Sequence, residues 1–447
     1  MNPVRRHRPN TPALMIVAGF FMAVVAGTGL LMLPMSKQGP GGASWLDALF
    51  TATSSVCVTG LITVDTPTYW TTFGQVVILA LIQVGGFGVM SFGALMGILL
   101  AGRLGLRAKI QVAAETKAPG FGHVGNVLRG VFKISLYTEA VVALLLALRF
   151  VLGYGYGPGR AIWEGVFHSV SAFNNAGFAL YTDNLMGFVG DPWICLPISA
   201  AVIIGGLGFP VLFELRRIYR RPVHWSMHTK LMLFGSAVLL LAGTVFITLV
   251  EWTNRETVGD LPPAQRVLAG FFQSVVARTA GFNSIDISQM HPVSWMGLDI
   301  LMFIGGGPAG TAGGLKVTTF AVLFFILYTE IRGGTAVNVF GKRLSRAVHR
   351  QAITVVLLAI ALVVGSTMAL MFISDFGQER ILFEVVSAFA TVGMSTGITA
   401  GLPPAGQLIL VALMFIGRLG PVTLASALAL RNRAPLYEYP KERPLIG

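Results

Sequence analysis

Four short glycine-centred segments recur along the chain, and their backbone has the composition of a cation site. Each segment has a single glycine, follows a short apolar stretch and precedes a polar loop and a long apolar run. The four copies are Val58-Thr59-Gly60, Asn175-Ala176-Gly177, Thr279-Ala280-Gly281 and Thr391-Val392-Gly393. Their separation of about a hundred residues indicates internal duplication. If the copies face one axis, the glycine carbonyls form a ring that can replace the water around a potassium ion.

The residues that surround each glycine fit such a ring. Glycine permits strained dihedral angles at little steric cost, so carbonyls can point inward. A short helix that ends at each turn would aim unpaired carbonyls and a negative dipole end at the axis, which attracts a cation. The hydroxyls of Thr59, Thr279 and Thr391 could add oxygens at the inner edge. In the competing interpretation, each glycine is a packing residue between membrane helices.

Composition indicates a helical membrane protein. Of the 447 residues, 54% are hydrophobic and 11% are charged, and the mean hydropathy is +0.73. Long unbroken apolar runs favour helical spans over the short alternating strands of a transmembrane barrel. The net charge of +13 does not indicate nucleic-acid binding, because the basic residues lie in loops between apolar runs. Cys57 and Cys195 form no metal or disulfide framework.

The predicted fold is all-α and membrane-integral. Four pseudo-symmetric units, each an outer helix, a half-helix and an inner helix, surround one central pore as in potassium channels. The predicted units cover residues 1–110, 111–225, 226–345 and 346–447. The outer helices are expected at 13–34, 127–152, 230–251 and 352–373, the half-helices at 44–56, 162–173, 267–276 and 381–389, and the inner helices at 73–101, 192–215, 293–328 and 408–430.

Loop charges predict the orientation in the membrane. Arginine and lysine clusters lie at the N-terminus, after each inner helix and at the C-terminus, whereas acidic residues dominate the other loops. By the positive-inside rule both termini are cytoplasmic, with eight full spans, and the glycine turns face the outside. We therefore expect a multi-pass protein of the plasma membrane, surrounded by lipid.

Residues 305–316 interrupt the third inner helix with a composition that no regular helix would hold. Irregular backbone at membrane depth is tolerated where it is buried in protein or lines a watery cavity. We predict a mobile gate below the glycine ring, and the competing interpretation is a static kink. The candidate gate residues are Gly306, Pro308, Gly310, Gly313, Gly314 and Lys316, together with Arg418. The stretch is no phosphate loop, since Leu315 precedes and Val317 follows the lysine, so no nucleotide is expected on this chain.

Arg418 lies in the middle of the fourth inner helix, where an arginine is costly without a partner. It could face the pore and pair with carbonyls of the gate stretch, or it could form a structural pair with a nearby helix end. Glu139 and Lys133 in the second outer helix are expected to form a local pair or to reach the interface.

Several of these motifs resemble the superfamily of potassium transporters that includes the bacterial Ktr and Trk membrane subunits and the plant HKT proteins. The resemblance covers nearly the whole chain. The length of the chain, and its lack of an extra N-terminal helix pair, favour the KtrB branch. The motifs that carry it are Ser171-Ala172-Phe173-Asn174-Asn175-Ala176-Gly177-Phe178, Arg278-Thr279-Ala280-Gly281-Phe282-Asn283, Ser387-Ala388-Phe389-Ala390-Thr391-Val392-Gly393 and Gly417-Arg418-Leu419-Gly420-Pro421.

The resemblance implies one pore per chain, a homodimer, and a separate cytoplasmic ring of nucleotide-binding subunits of the KtrA type. It also implies an intramembrane gating loop at 305–316 and a gating role for Arg418. The predicted function is potassium uptake driven by the membrane potential, with sodium as a candidate activator. A proton- or sodium-coupled symporter is the first alternative. A membrane-embedded enzyme is the second, although the spans show no paired acid–base groups.

Overall fold

Helices form nearly all of the structure, a computed structural model that describes residues 11–103, 124–334 and 336–420. A two-residue antiparallel hairpin, β1 (Asn338–Val339) and β2 (Lys342–Arg343), is the only sheet in these ranges. The helices are α1 (Thr11–Leu31), α2 (Trp45–Val56), α3 (Thr66–Tyr69), α4 (Thr72–Arg103), α5 (Val124–Tyr154), α6 (Pro158–Phe173), α7 (Pro192–Leu207), α8 (Phe209–Ile218), α9 (Met227–Glu251), α10 (Pro263–Val276), α11 (Pro292–Phe303), α12 (Val317–Ile331), α13 (Arg346–Ile373), α14 (Gln378–Ala390) and α15 (Pro404–Leu419). The predicted all-α class is confirmed.

The long helices have the surface of membrane spans. Within the described ranges, α5, α9 and α13 are long and apolar enough to cross a membrane, and the bent pair α7–α8 adds a fourth if it counts as one span. Large apolar side chains such as Leu152, Leu241 and Phe372 are exposed by 82%, 68% and 91%. Lipid is the solvent that suits such a surface. The predicted total of eight spans stays a prediction. The further apolar segments that could belong to spans are each 10–17 residues long, namely Val17–Leu31, Thr72–Gly88, Pro292–Phe303, Val317–Ile331 and Pro404–Leu419.

A short helix precedes each glycine turn, and these helices are α2, α6, α10 and α14. Ser44 caps α2, since its hydroxyl accepts from the Asp47 amide at 3.1 Å. The other three begin up to four residues before the predicted starts. Pro158 and Pro263 occupy the first position of α6 and α10, where proline is well tolerated. Apolar periodicity missed these first turns because they are partly polar.

The second inner helix is broken, contrary to the continuous span predicted at 192–215. Helices α7 and α8 meet at Gly208 with a bend of 99°. Gly208 has a φ of +88°, and a Cβ atom there would lie 2.5 Å from the carbonyl oxygen of Pro308. The Phe209 amide donates to the Ala309 carbonyl at 3.4 Å. The break therefore gives residues 305–316 a surface to pack against, and sequence periodicity could not show this neighbour.

The third inner helix is interrupted between α11 and α12, as its glycine content predicts. The fourth, α15, ends at Leu419 before Gly420, whose φ is +82°. The prediction that it continues to residue 430 falls outside the described residues, as do most of the basic loop after α4 and the terminal arginine clusters.

Three inner helices approach the half-helices through a glycine, which lies in the middle of α4 and in the last turn of α7 and α15. A Cβ atom on Gly85, Gly205 or Gly417 would overlap the carbonyl oxygen at the end of a half-helix. The overlapped carbonyls belong to Val56, Phe173 and Phe389. Absence of a side chain at these points brings each inner helix directly behind one glycine turn, because small residues let membrane helices approach closely.

This packing predicts opposite effects for two glycine-to-alanine changes. Gly417→Ala should destabilise the protein by about 1–3 kcal/mol, because the added methyl meets the Phe389 backbone. Gly365→Ala in α13 has open space and should stabilise by about 0.5–1 kcal/mol through helix propensity. Thermal unfolding of both purified variants in detergent would check this, and equal midpoints would contradict the packing.

Candidate functional site

The four predicted glycines lie together in one closed ring. A Cβ atom on each glycine would overlap the carbonyl oxygen of the middle residue in the neighbouring copy. The overlapping pairs are Gly60 with Ala176, Gly177 with Ala280, Gly281 with Val392, and Gly393 with Thr59. Because the last pair returns to the first copy, the ring closes on itself. No residue larger than glycine fits at these four positions without moving the backbone.

The ring backbone has an unusual and repeated conformation. The four glycines have φ values of +94°, +69°, +69° and +95° in chain order. The residue two places earlier in each copy is also left-handed, namely Val58 (φ +55°), Asn175 (φ +60°), Thr279 (φ +87°) and Thr391 (φ +52°). Each such non-glycine residue costs of the order of 1–3 kcal/mol, and strain of this kind persists where the surroundings over-determine it. The middle residue of each copy is not left-handed, so left-handed residues stand at the first and third positions of every copy.

Amide groups of the ring donate hydrogen bonds to the half-helices. The amide of the middle residue in each copy donates back to a carbonyl in the last turn of its own half-helix. These bonds join Thr59 to Ser54 (2.8 Å), Ala176 to Ser171 (2.7 Å), Ala280 to Val276 (2.9 Å) and Val392 to Ser387 (2.8 Å). Within the described ranges, the carbonyls of the twelve predicted ring residues accept no hydrogen bond. Their lone pairs are therefore available to a cation, and the ends of the half-helix dipoles add negative potential.

Two serines support the ring, and the sequence analysis missed them. The hydroxyls of Ser54 and Ser387 accept from the amides of Gly60 and Gly393, both at 3.0 Å. The corresponding Ser171 donates instead to the Phe178 carbonyl at 2.8 Å. A serine six residues before the glycine in three of the four copies was the available signal.

Carboxylates on three half-helices hold the segments that leave the ring. Glu384 accepts from the Thr396 amide at 3.0 Å and from the Thr399 hydroxyl at 2.9 Å. Asp47 accepts from the Thr63 hydroxyl at 3.1 Å, and Glu164 accepts from the Tyr181 hydroxyl. Sequence reasoning missed these side chains as well, although an acidic residue inside a short apolar helix is a recognisable signal.

A cavity of about 160 Å³ opens on one side of the ring. Its lining includes Gly60, Gly177 and Gly393 from the ring and the acidic side chains of Asp65 and Asp183 from the following loops. Asp65 also accepts from the Thr182 hydroxyl at 2.9 Å, which joins the loops that follow the first two copies. A cation that approaches the ring from this side meets negative charge first.

Residues 305–316 lie against the third and fourth ring copies. The position of Gly313 leaves room for the Thr391 hydroxyl, and a Cβ atom on Gly305 would lie 3.2 Å from the Thr279 methyl. Gly314, with a φ of +62°, packs against Ala390. The predicted gate residues and two ring threonines are therefore neighbours.

Backbone bonds attach the same segment to α7. The Gly307 amide donates to the Gly206 carbonyl at 2.7 Å, and the Thr311 amide donates to the Gly205 carbonyl at 3.1 Å. Pro308 lies against Gly208, and the Gly306 carbonyl accepts from the Val317 amide at 3.1 Å. The Gly310 amide donates to the Gly307 carbonyl at 3.3 Å, which closes a turn.

Two cationic side chains are directed at carbonyls of this segment. Arg418 is 4% exposed and donates to the Thr311 carbonyl and, at 3.2 Å, to the Gly85 carbonyl of α4. The predicted contact with the gate stretch is therefore present, together with a second contact to a helix. Lys316 donates to the carbonyls of Ala312 at 2.6 Å and Gly313 at 3.4 Å. Neither cation has a carboxylate within salt-bridge distance among the described residues.

Of the two arrangements expected for Glu139 and Lys133, a local pair or reach to the interface, the pair is wrong. Lys133 is exposed, whereas Glu139 is 6% exposed and accepts from Gln83, Ser135 and Asn174. Position 139 lies on the side of α5 that packs against α4 and α6. The sequence does not reveal this inward face, because helical periodicity is weak in an almost wholly apolar helix.

Comparison with known proteins identifies the family. Residues 7–434 match the family described as TrkH, a cation transport protein. The Ktr system potassium uptake protein B of Bacillus subtilis (strain 168) is 40% identical over 98% of this chain and 97% of its own length. The protein of the same name from Vibrio alginolyticus is 39% identical over 97% and 94%. The potassium/sodium uptake protein NtpJ of Enterococcus hirae is 34% identical over 98% and 97%.

A solved structure supports the same fold. The crystal structure of the potassium transporter TrkH from Vibrio parahaemolyticus matches with a TM-score of 0.75 at 18% identity, over 96% of this chain and 87% of that chain. At this identity the match shows the fold alone. The resemblance predicted from the glycine motifs is confirmed by the family match and by the relatives above 30% identity, and the chain belongs to the TrkH family of cation transport proteins.

Proposed function

We propose that this chain takes up potassium through the ring of main-chain carbonyls formed by its four glycine copies. The observation that carries the proposal is the closed ring, in which strained backbone leaves the carbonyls free while ten of the twelve amides are bonded to the half-helices. Oxygen atoms fixed in this way can take over the hydration of an alkali cation. The printed names of the relatives in Bacillus and Vibrio, potassium uptake proteins, support the choice of ion.

The membrane potential is sufficient to drive this uptake. One inward monovalent cation gains about 2.3 kcal/mol per 100 mV of potential, so no nucleotide hydrolysis is needed for flux. A single glycine in each copy provides fewer ion sites than a five-residue filter, so we expect moderate selectivity. The acidic cavity at the ring faces the outside in this proposal, with both termini cytoplasmic and the protein in the plasma membrane.

Residues 305–316 act as the gate in this proposal. They lie against Thr279 and Thr391 of the ring and are attached to α7 by two backbone hydrogen bonds. Arg418, which lies on the fourth inner helix, holds the segment through the Thr311 carbonyl. It also bonds to α4, so it links the gate to the first inner helix. Ala309, with a φ of +57°, stores strain in the segment, which favours a second arrangement.

Control of the gate is assigned to other chains. The proposed assembly is a homodimer on a cytoplasmic ring of nucleotide-binding subunits of the KtrA type. The printed name "Ktr system" of the relatives supports a multicomponent system. This chain would bind potassium, with sodium as a candidate activator, and no nucleotide.

A coupled symporter is the second candidate, favoured by the name of NtpJ as a potassium/sodium uptake protein. Residues 305–316 contain no carboxylate or histidine, and the side chains of Lys316 and Arg418 donate to backbone carbonyls, which disfavours an obligatory proton carrier at the gate. Potassium flux that requires an imposed sodium or proton gradient, in addition to a potential, would support the symporter.

Gly393→Ser should abolish most rubidium uptake and reduce discrimination against sodium. The added side chain overlaps the Thr59 carbonyl, and glycine is required by the φ of +95°. Uptake of labelled rubidium into liposomes with an imposed potential, with sodium as competitor, measures both effects. Gly377→Ser is the matched control, because it has open space at the start of α14, where serine caps a helix well. Wild-type selectivity in the Gly393→Ser protein would contradict the ring.

Arg418→Gln should raise basal rubidium flux about tenfold or more, because the gate loses a charge-assisted hydrogen bond worth about 1.5–3 kcal/mol. Deletion of residues 310–314 should raise it further. Arg350→Gln changes the same charge at an exposed position and should leave flux unaltered. Unchanged flux in both the deletion and the Arg418→Gln proteins would reject the gate.

A further inference from the structure

A buried carboxylate lies behind the second ring copy and has only neutral partners. The Gln83 amide donates to both oxygens of Glu139, at 3.1 and 3.2 Å, and the Ser135 hydroxyl donates at 2.8 Å. Asn174 donates to the Gln83 side-chain carbonyl at 2.8 Å and to Glu139 at 3.4 Å. Glu139 is 6% exposed, and Ser135 and Asn174 are fully buried. An ionisable group at such a place in a membrane helix is costly and indicates a function.

The network ends at the ring. Asn174 immediately precedes Asn175, the left-handed residue of the second copy, and its side chain also donates to the Val170 carbonyl at 2.9 Å. Gly86 of α4 leaves the space that the Asn174 amide occupies, because a Cβ atom there would overlap the amide oxygen. Three helices thus meet at the side chain of Asn174, which follows the end of α6: α4 contributes Gln83 and α5 contributes Glu139.

The ring copies differ at the position before the triplet. The residues that correspond to Asn174 are Cys57, Arg278 and Ala390. Cys57 and Ala390 are apolar, and Arg278 bonds to Ser236 at 3.2 Å. Only the second copy is thus connected to a carboxylate at this position, so the network makes the ring chemically asymmetric.

We propose that Glu139 is a positioning residue for cation selectivity, which acts through Gln83 and Asn174 to hold the second ring copy. The inference rests on the proposed function, since it assumes that the ring discriminates among cations. Glu139 accepts the amide protons of Gln83, which leaves the Gln83 carbonyl to accept from Asn174. Without the carboxylate, the side-chain amide of Gln83 is no longer held in this orientation. When it turns, Asn174 keeps its bond to the Val170 carbonyl but loses the Gln83 carbonyl, and the carbonyls of Asn175 and Ala176 lose their fixed direction.

Single and double substitutions separate this role from general stability. Glu139→Gln places an amide against the Gln83 amide and should lower the rubidium-over-sodium uptake ratio about tenfold, the effect of one well-formed hydrogen bond. Gln83→Glu places two carboxylates together and should do the same. The double variant Gln83→Glu/Glu139→Gln restores one carboxylate and one amide in complementary order, and its ratio should return close to that of the wild type.

Ser169→Ala is the structural control. The Ser169 hydroxyl donates to the Glu139 main-chain carbonyl at 2.6 Å and does not touch the carboxylate. It should lower the melting temperature in detergent while the uptake ratio stays unchanged. A wild type without discrimination would overturn the proposed function itself. A selective wild type with an unaltered ratio in Glu139→Gln, or no recovery in the double variant, would overturn this inference alone.

Discussion

The rest of the structure depends on one constraint: the ring carbonyls must be kept without hydrogen bonds in the interior of a membrane. Backbone groups without water must be bonded within the protein, and unpaired ones are costly. In the four glycine copies, ten of the twelve amides bond back to the half-helices, and the carbonyls accept no hydrogen bond within the described residues. The left-handed conformations of Val58, Asn175, Thr279 and Thr391 are the local strain that this arrangement requires. A dehydrated cation is the natural partner for such oxygens.

The surrounding helices make that strain tolerable. Close approach at Gly85, Gly205 and Gly417 places an inner helix behind three of the four half-helix ends, so the turns cannot relax outward. Side chains add further restraints: Ser54 and Ser387 bond to ring amides, and Glu384 holds the segment that follows the fourth copy. Residues 305–316 are in turn bonded to α7 and to Arg418, so the proposed gate and the ring are held by neighbouring helices.

Much of this arrangement could be predicted, because it follows from the composition of the chain and the spacing of its glycines. Four glycines after short apolar segments indicated the turns, and the glycine-rich stretch at 305–316 indicated irregular backbone. The bend at Gly208 and the partners of Glu139 could not be predicted, because both depend on contacts with distant residues: Pro308 for the bend, and Gln83 and Asn174 for the carboxylate. The early starts of α6 and α10 were missed because proline and polar residues interrupt the apolar pattern.

Direct location of the ion tests the central claim. Crystals of the protein grown in rubidium, measured at the rubidium absorption edge, reveal the cation by its anomalous scattering. The account predicts a peak on the axis of the ring, in contact with the carbonyls of Gly60, Gly177, Gly281 and Gly393. A strong rubidium peak elsewhere in the protein, with none at the ring, would contradict it.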